Sequence, residues 1–166
     1  YDLLNNTAQM EAFVSILIKR KALELLNKKL DKLGPNDMNL ETTMKIFETL
    51  YDHLKIYQEN LKHLDDNQLY NVQLILLSMK LLTKFINNDD LSKDISTAID
   101  EILTQVLIKI IEIIRLINNQ QQDSTDNNDD KQISKSLQNL RTSSILCLSQ
   151  ILSTLSTKSI VHLSDV

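Results

Sequence analysis

Glycine and proline are almost missing from this chain, which holds one of each among its 166 residues, Gly34 and Pro35. Beta folds need many tight turns, and tight turns draw heavily on these two residue types. Their scarcity, in a chain rich in leucine, isoleucine, lysine, asparagine and glutamine, predicts an all-α fold of long helices with few connections. A single glycine also excludes a glycine-rich loop that could cradle phosphate groups.

Cysteine is equally scarce, and a lone Cys147 excludes an internal disulfide and a zinc site built on cysteines. Because Cys147 stands between Leu146 and Leu148, we predict a buried, unreactive thiol.

No apolar run approaches the roughly 18 residues that a membrane-spanning helix requires. The formal net charge of −4 provides no general attraction for nucleic acid or for an anionic membrane. We therefore expect an intracellular protein of the cytoplasm or nucleus.

Hydrophobic periodicity divides the chain into five amphipathic helices. We predict that they span residues 8–33, 40–64, 68–86, 90–117 and 131–155. Asn39 or Asp37 is the expected cap of the second helix, and Asp65 with Gln68 resembles a capping box before the third. The third helix is apolar around most of its circumference, which predicts a central position.

The fourth predicted helix carries the widest apolar stripe in the chain. Its aliphatic side chains recur at spacings of three and four: Ile95, Ile99, Ile102, Val106, Ile110, Ile113 and Ile117. The stripe is widened on one side by Leu103, Leu107 and Ile114. An apolar face of this width must pack against at least two neighbouring helices.

Residues 118–130 have the sequence NNQQQDSTDNNDD and contain no apolar side chain. Such a run cannot bury enough surface to offset its ordering entropy, so we predict a mobile polar loop inserted between the fourth and fifth helices. After residue 155, one more apolar patch (Ile160, Val161 and Leu163) begins a sixth helix or packs as a tail. Because the chain begins with Tyr1 and not with Met, we interpret residues 1–166 as a single all-helical domain from a longer chain.

The first predicted helix has an apolar face and a basic face. Its apolar face is made of Phe13, Ile16, Leu17, Leu23, Leu26, Leu30 and Leu33. A different face carries Lys21, Lys28 and Lys32, and a basic helix face can contact phosphates or an acidic partner. No aromatic residues stand between these lysines for base stacking. The sequence therefore favours a solvated lysine face, then an acidic protein partner, and nucleic acid last.

No set of residues predicts catalysis, cofactor binding or a metal site. His53 and His63 lie ten residues apart on one predicted helix and point about 80° apart, unlike the i, i+4 pairs of helical metal sites. No Glu-x-x-His motif occurs, and no serine has a recognisable base and orienting acid nearby in the sequence. We therefore predict a protein that is not an enzyme and has no cofactor.

Residues 140–152, LRTSSILCLSQIL, resemble the second helix of a HEAT or armadillo-type repeat, where a basic residue precedes small residues and spaced aliphatics. Residues 159–163 are similar to the start of the next helix of such an array, and residues 70–82 fit the same pattern. The resemblance implies antiparallel helical hairpins stacked as a short α-solenoid. A closed five-helix bundle is the alternative.

The predicted function is that of a non-catalytic protein–protein interaction scaffold, a segment of a larger eukaryotic assembly, which is the role that the resemblance implies. The alternative is a bundle that dimerises or docks onto a partner helix through the apolar stripe of the fourth helix. Contact with phosphate or nucleic acid through Lys21, Lys28 and Lys32 is the least favoured reading. We expect other proteins as partners and no membrane, and homo-oligomerisation is left open.

Overall fold

A computed structural model describes residues 2–86, 91–123 and 130–155, so the predictions for residues 156–166 lie outside the described range. All regular secondary structure in these ranges is helical, which confirms the predicted all-α class. The helices are α1 (Asp2–Lys32), α2 (Leu40–Glu59), α3 (Asp66–Leu82), α4 (Lys93–Asp123) and α5 (Asp130–Thr154). Short 3-10 helices follow α2 and α3, at Leu61–His63 and Thr83–Phe85.

Side-chain caps begin two of these helices where the sequence predicts them. The Asn39 side chain accepts a hydrogen bond from the backbone N–H of Thr42 at 2.8 Å, so Asn39 is the cap of α2. Asp65 and Gln68 form the predicted capping box, each side chain accepting from the other residue's backbone N–H. These bonds satisfy amide groups that the helix itself leaves without a partner.

Helix α4 is longer than the prediction at its carboxyl end. It continues through Asn118 to Asp123, so the prediction of a loop over 118–123 was wrong; residues 124–129 lie outside the described range. Extending a formed helix adds one hydrogen bond for each residue fixed, and the difficult nucleation step has already occurred in the buried part. Glutamine, which occupies 120–122, is also a good helix former.

Helix α3 occupies the centre of the fold, as its apolar sequence predicts. It packs against α1 and α5 most extensively and also against α2, while α4 packs against α5 and α2. The helices therefore form two rows, one of α1, α3 and α5 in that spatial order and one of α2 and α4.

Helices α1 and α3 are direct neighbours and run in the same direction. The Asn71 side chain donates to the backbone carbonyl of Ile16 at 3.2 Å, and two to three turns further along both helices Asn27 donates to Ser78 Oγ at 2.6 Å. The residue numbers rise together on the two helices, which defines a parallel pair.

The core lies between the two rows. Its largest fully buried side chains are Leu30, Phe47, Leu54, Ile75, Leu76, Met79, Leu82, Leu103, Leu107, Ile110, Ile113 and Ile117. The predicted stripe of α4 supplies five of them. Within the stripe only its first member, Ile95, is exposed, at 46%. Little apolar surface of this stripe is therefore left for another molecule.

Candidate protein-interaction surfaces

The amino-terminal part of α1 extends past the end of its neighbour α3. Ile16 lies beside Asn71, whereas α3 begins five residues earlier, at Asp66. Because the two helices are parallel, the part of α1 before about residue 11 projects beyond α3 by roughly 15 Å. Every described side chain from position 6 to position 15 is exposed.

The structure corrects the prediction that Phe13 and Leu17 pack in the core. Both side chains are exposed, whereas Leu30 at the other end of the predicted apolar face is buried. At about 100° per residue, Leu17 lies about 140° around α1 from Leu30, so it faces away from α3. Phe13, three residues before Ile16, lies beside only the first turn of α3. Apolar residues remain in contact with solvent in the first half.

A second set of apolar side chains on α1 points away from α3 and lies in line with the predicted lysines. We call it, with those lysines, the outer face of α1: Met10, Val14, Leu17, Ile18, Lys21, Leu25, Lys28 and Lys32. Met10 is 67% exposed and Ile18 is 63% exposed. A run of large exposed apolar residues at helical spacing is typical of a surface that another molecule covers.

The predicted basic residues Lys21, Lys28 and Lys32 are all exposed. At about 100° per residue they share one side of α1, opposite the side on which Asn27 and Leu30 contact the rest of the fold. The outer face is thus apolar from Met10 to Ile18 and carries three lysines, with Leu25 between them, over its second half.

A groove separates α1 from α2, although the two helices follow each other in the chain. Three adjoining depressions that share lining residues form it, and we call it the α1–α2 groove. Helix α1 contributes Ile16, Lys19, Ala22, Leu23 and Leu26. Helix α2 contributes Thr42, Lys45, Ile46, Thr49, Leu50, His53, Ile56 and Tyr57. The groove is open because α1 packs against α3 and not closely against α2, and because Ala22 and Thr49 are short.

The structure brings His53 and His63 to the wall of the same depression, at one end of the α1–α2 groove. The prediction that the two side chains point apart assumed that His53 and His63 lie on one continuous helix. Helix α2 ends at Glu59, and the 3-10 helix that follows redirects the chain at His63. The described residues contain no group of three or more His, Cys, Asp or Glu side chains placed to hold a metal ion.

Buried polar side chains position α1 on α3. Asn27 donates from its amide to the carbonyl of Leu74 at 3.2 Å as well as to Ser78. Nearer the amino terminus, the Arg20 guanidinium lies 5.0 Å from the ring centre of Tyr70. These contacts hold α1 in one register along α3 and so determine which of its faces stays uncovered. The sequence analysis did not identify them, because an isolated Asn or Arg carries no signal of its partner.

Cys147 is fully buried on α5, as predicted. Loss of solvation by burial raises the pKa of its thiol to about 12, and the positive charge of Lys80 opposes this only in part. A thiol in this state has almost no thiolate at neutral pH and is a poor nucleophile.

We expect native Cys147 to react with a thiol reagent such as dithionitrobenzoate about 10³-fold more slowly at pH 8 than a free cysteine does. Unfolding in urea should restore the ordinary rate, and absorbance of the released thiol follows both reactions. Fast labelling of the native protein at this single cysteine would contradict the packing of α5 described above.

None of the helices, over the residues that are described, combines the length and the apolar character needed to cross a membrane. Comparison with known proteins gives no match, whether to a family model, to a curated protein or to a solved structure.

Proposed function

We propose that this protein is a non-catalytic scaffold that binds other proteins, and that the outer face of α1 is a binding surface. The observation that carries the proposal is the exposure of Met10, Val14 and Ile18 on a helix that projects past its neighbour. Contiguous apolar surface of this kind costs solvation free energy in the free protein, and binding of a partner removes that cost.

The arrangement of helices supports a short solenoid of stacked hairpins as part of this proposal. In a closed up-and-down bundle, helices one and three are parallel but lie diagonally across the core. Here α1 and α3 are parallel and in direct contact, and α5 continues their row on the other side of α3. Rows of helices packed in this way are the basis of extended binding surfaces in repeat proteins.

The partner that fits the outer face is a protein with an apolar segment followed by acidic side chains. The apolar half of the outer face would bind the apolar segment of the partner. Lys21, Lys28 and Lys32 would bind its acidic side chains. We place this interaction in a larger eukaryotic assembly inside the cell, in the cytoplasm or nucleus, where an unpaired cysteine such as Cys147 is ordinary.

Two double variants test the proposal by quantitative affinity capture from a eukaryotic lysate. Met10→Ser with Ile18→Ser changes the outer face, and Leu77→Ser with Ile145→Ser changes exposed apolar residues elsewhere. We expect the first pair to reduce capture of the wild-type partners by about tenfold or more, and the second pair to leave it unchanged. Equal capture by both variants would exclude the outer face, provided that circular dichroism shows that both are folded.

Self-association is the second candidate function, and it concerns the outer face of α1 as well. The stripe of α4, which the sequence analysis considered for this role, is largely covered inside the fold. A dimer in sedimentation experiments that becomes a monomer on Met10→Ser with Ile18→Ser would favour self-association over a foreign partner.

A further inference from the structure

We infer that the α1–α2 groove binds an amphipathic helix of a partner protein whose polar flanks are acidic. This surface is distinct from the outer face of α1, so the inference goes beyond the function proposed above. Three properties of the groove support it: its helical periodicity, its apolar floor and the sign of its charge.

The lining residues of the groove repeat at the spacing of two helix faces. On α1 the positions are 16, 19, 23 and 26, and on α2 they are 42, 46, 49, 53 and 56. The groove therefore extends for roughly 15 Å along α1 and roughly 21 Å along α2. That length matches a helical segment of about 10 to 14 residues, and helix-in-groove binding uses anchors spaced in the same way.

The floor of the groove is apolar and the side chains that form it are held in place by the core. Leu50, Tyr57 and Ile75 are buried beneath it, and Leu23 and Leu26 are partly buried along its α1 side. Ile56 stands exposed on the rim near one end. An apolar stripe on an incoming helix could replace water along this floor without a rearrangement of α3.

The charge of the groove selects an acidic occupant. None of the described residues that line it is acidic, although the chain as a whole has a net charge of −4. Its basic side chains are Lys19, Lys45, His53 and His63. Lys45 forms an exposed ion pair with Glu41 at 3.0 Å, so Lys19 is the lysine that remains for a partner. Attraction to Lys19 speeds the association of an acidic partner, and repulsion by the same charge disfavours a basic competitor.

Fluorescence anisotropy with labelled model peptides provides the direct test. The probe is a peptide of about 16 residues built from leucine, alanine and glutamate, with leucines at spacings of three and four. One control replaces every glutamate by lysine, and a second keeps the composition but breaks the leucine spacing. We expect saturable binding of the acidic probe, with both controls at least about tenfold weaker. Equal binding of all three peptides, or no binding of the acidic probe, would overturn the inference.

Two charge reversals, two residues apart on α1, locate the binding site. Lys19→Glu changes the groove, and Lys21→Glu changes the outer face. Lys19 also borders a depression with Met10, Val14 and Ile18, so the site is assigned to the groove only if Met10→Ser with Ile18→Ser leaves binding unchanged. We expect about tenfold weaker binding of the acidic probe for Lys19→Glu and little change for Lys21→Glu. A second groove variant, Ala22→Trp, fills the space between α1 and α2 and should weaken binding irrespective of charge.

The outcomes separate this inference from the proposed function. If Lys21→Glu and Met10→Ser weaken binding while Lys19→Glu does not, the peptide occupies the outer face and the groove inference fails alone. If the protein self-associates in sedimentation experiments and Lys19→Glu abolishes that self-association, a second copy of this chain is the occupant and the inference of an acidic partner helix fails. Displacement by single-stranded nucleic acid with the same dependence on Lys19 would replace the acidic helix with a phosphate backbone and so contradict the inference.

Discussion

Replacement of Leu76 by alanine is expected to lower the free energy of unfolding by about 3–5 kcal/mol, a large fraction of the total for a domain of this size. Leu76 is 0% exposed and lies on the central helix α3, which has α1, α2 and α5 around it. The substitution loses the transfer free energy of the side chain and leaves a cavity that three surrounding helices cannot easily close. Urea unfolding followed by circular dichroism measures the difference.

Leu77 provides the matched control, because it follows Leu76 directly and is 41% exposed. Leu77→Ala removes the same atoms from the same helix but leaves no enclosed cavity, so we expect a change within about 1 kcal/mol. Similar losses for the two variants would show that α3 is rotated relative to the arrangement described here. If Leu76→Ala is too unstable to purify, Leu76→Val should show a smaller loss in the same direction.

This pair of leucines also illustrates what the sequence can and cannot predict. Residues 74–77 are all apolar, so periodicity places α3 at the centre but does not reveal which of its side chains remains exposed. The capping box of Asp65 with Gln68, in contrast, depends on residues three positions apart and was predicted correctly, and Asn39 is one of the two caps predicted for α2. The stripe of α4 was also predicted, since its spacing alone defines the buried face.

The features that form the candidate binding surfaces depend on distances between helices and are not encoded locally. Phe13, for example, is exposed because α3 begins at Asp66 and covers this part of α1 with only its first turn. The α1–α2 groove likewise results from α1 packing on α3 in preference to α2. Nothing in the sequence of α1 indicates where its neighbour α3 begins or which helix α1 packs against. The basic side of α1 with Lys21 and its neighbours was found in the sequence, because exposure of lysine is the usual outcome.

The isosteric substitution Asn27→Asp is expected to destabilise the protein by about 3–5 kcal/mol near neutral pH. Asn27 is buried, and its side-chain amide lies within hydrogen-bond distance of Ser78 Oγ at 2.6 Å and of the carbonyl oxygens of Leu23 at 3.1 Å and Leu74 at 3.2 Å. A carboxylate in its place has no proton to donate to the two carbonyl oxygens, and only the Ser78 hydroxyl can rotate to donate to it. Burial of the charge without a cationic partner adds a further cost. The loss would loosen α1, which carries both candidate surfaces, from α3.

The pH dependence of this variant identifies the cause of the loss. Burial among acceptors raises the pKa of a carboxyl group in the folded state above its value of about 3.9 in the unfolded chain. The folded state then binds the proton more tightly, so the deficit relative to wild type is full above the raised pKa and shrinks as the pH falls towards about 4. Asn139→Asp, at an exposed position on α5, should show almost no deficit at any pH. A deficit for Asn27→Asp that does not change between about pH 7 and about pH 4.5 would mean that the new carboxyl group reaches solvent, and that the α1–α3 interface is more open than these contacts indicate.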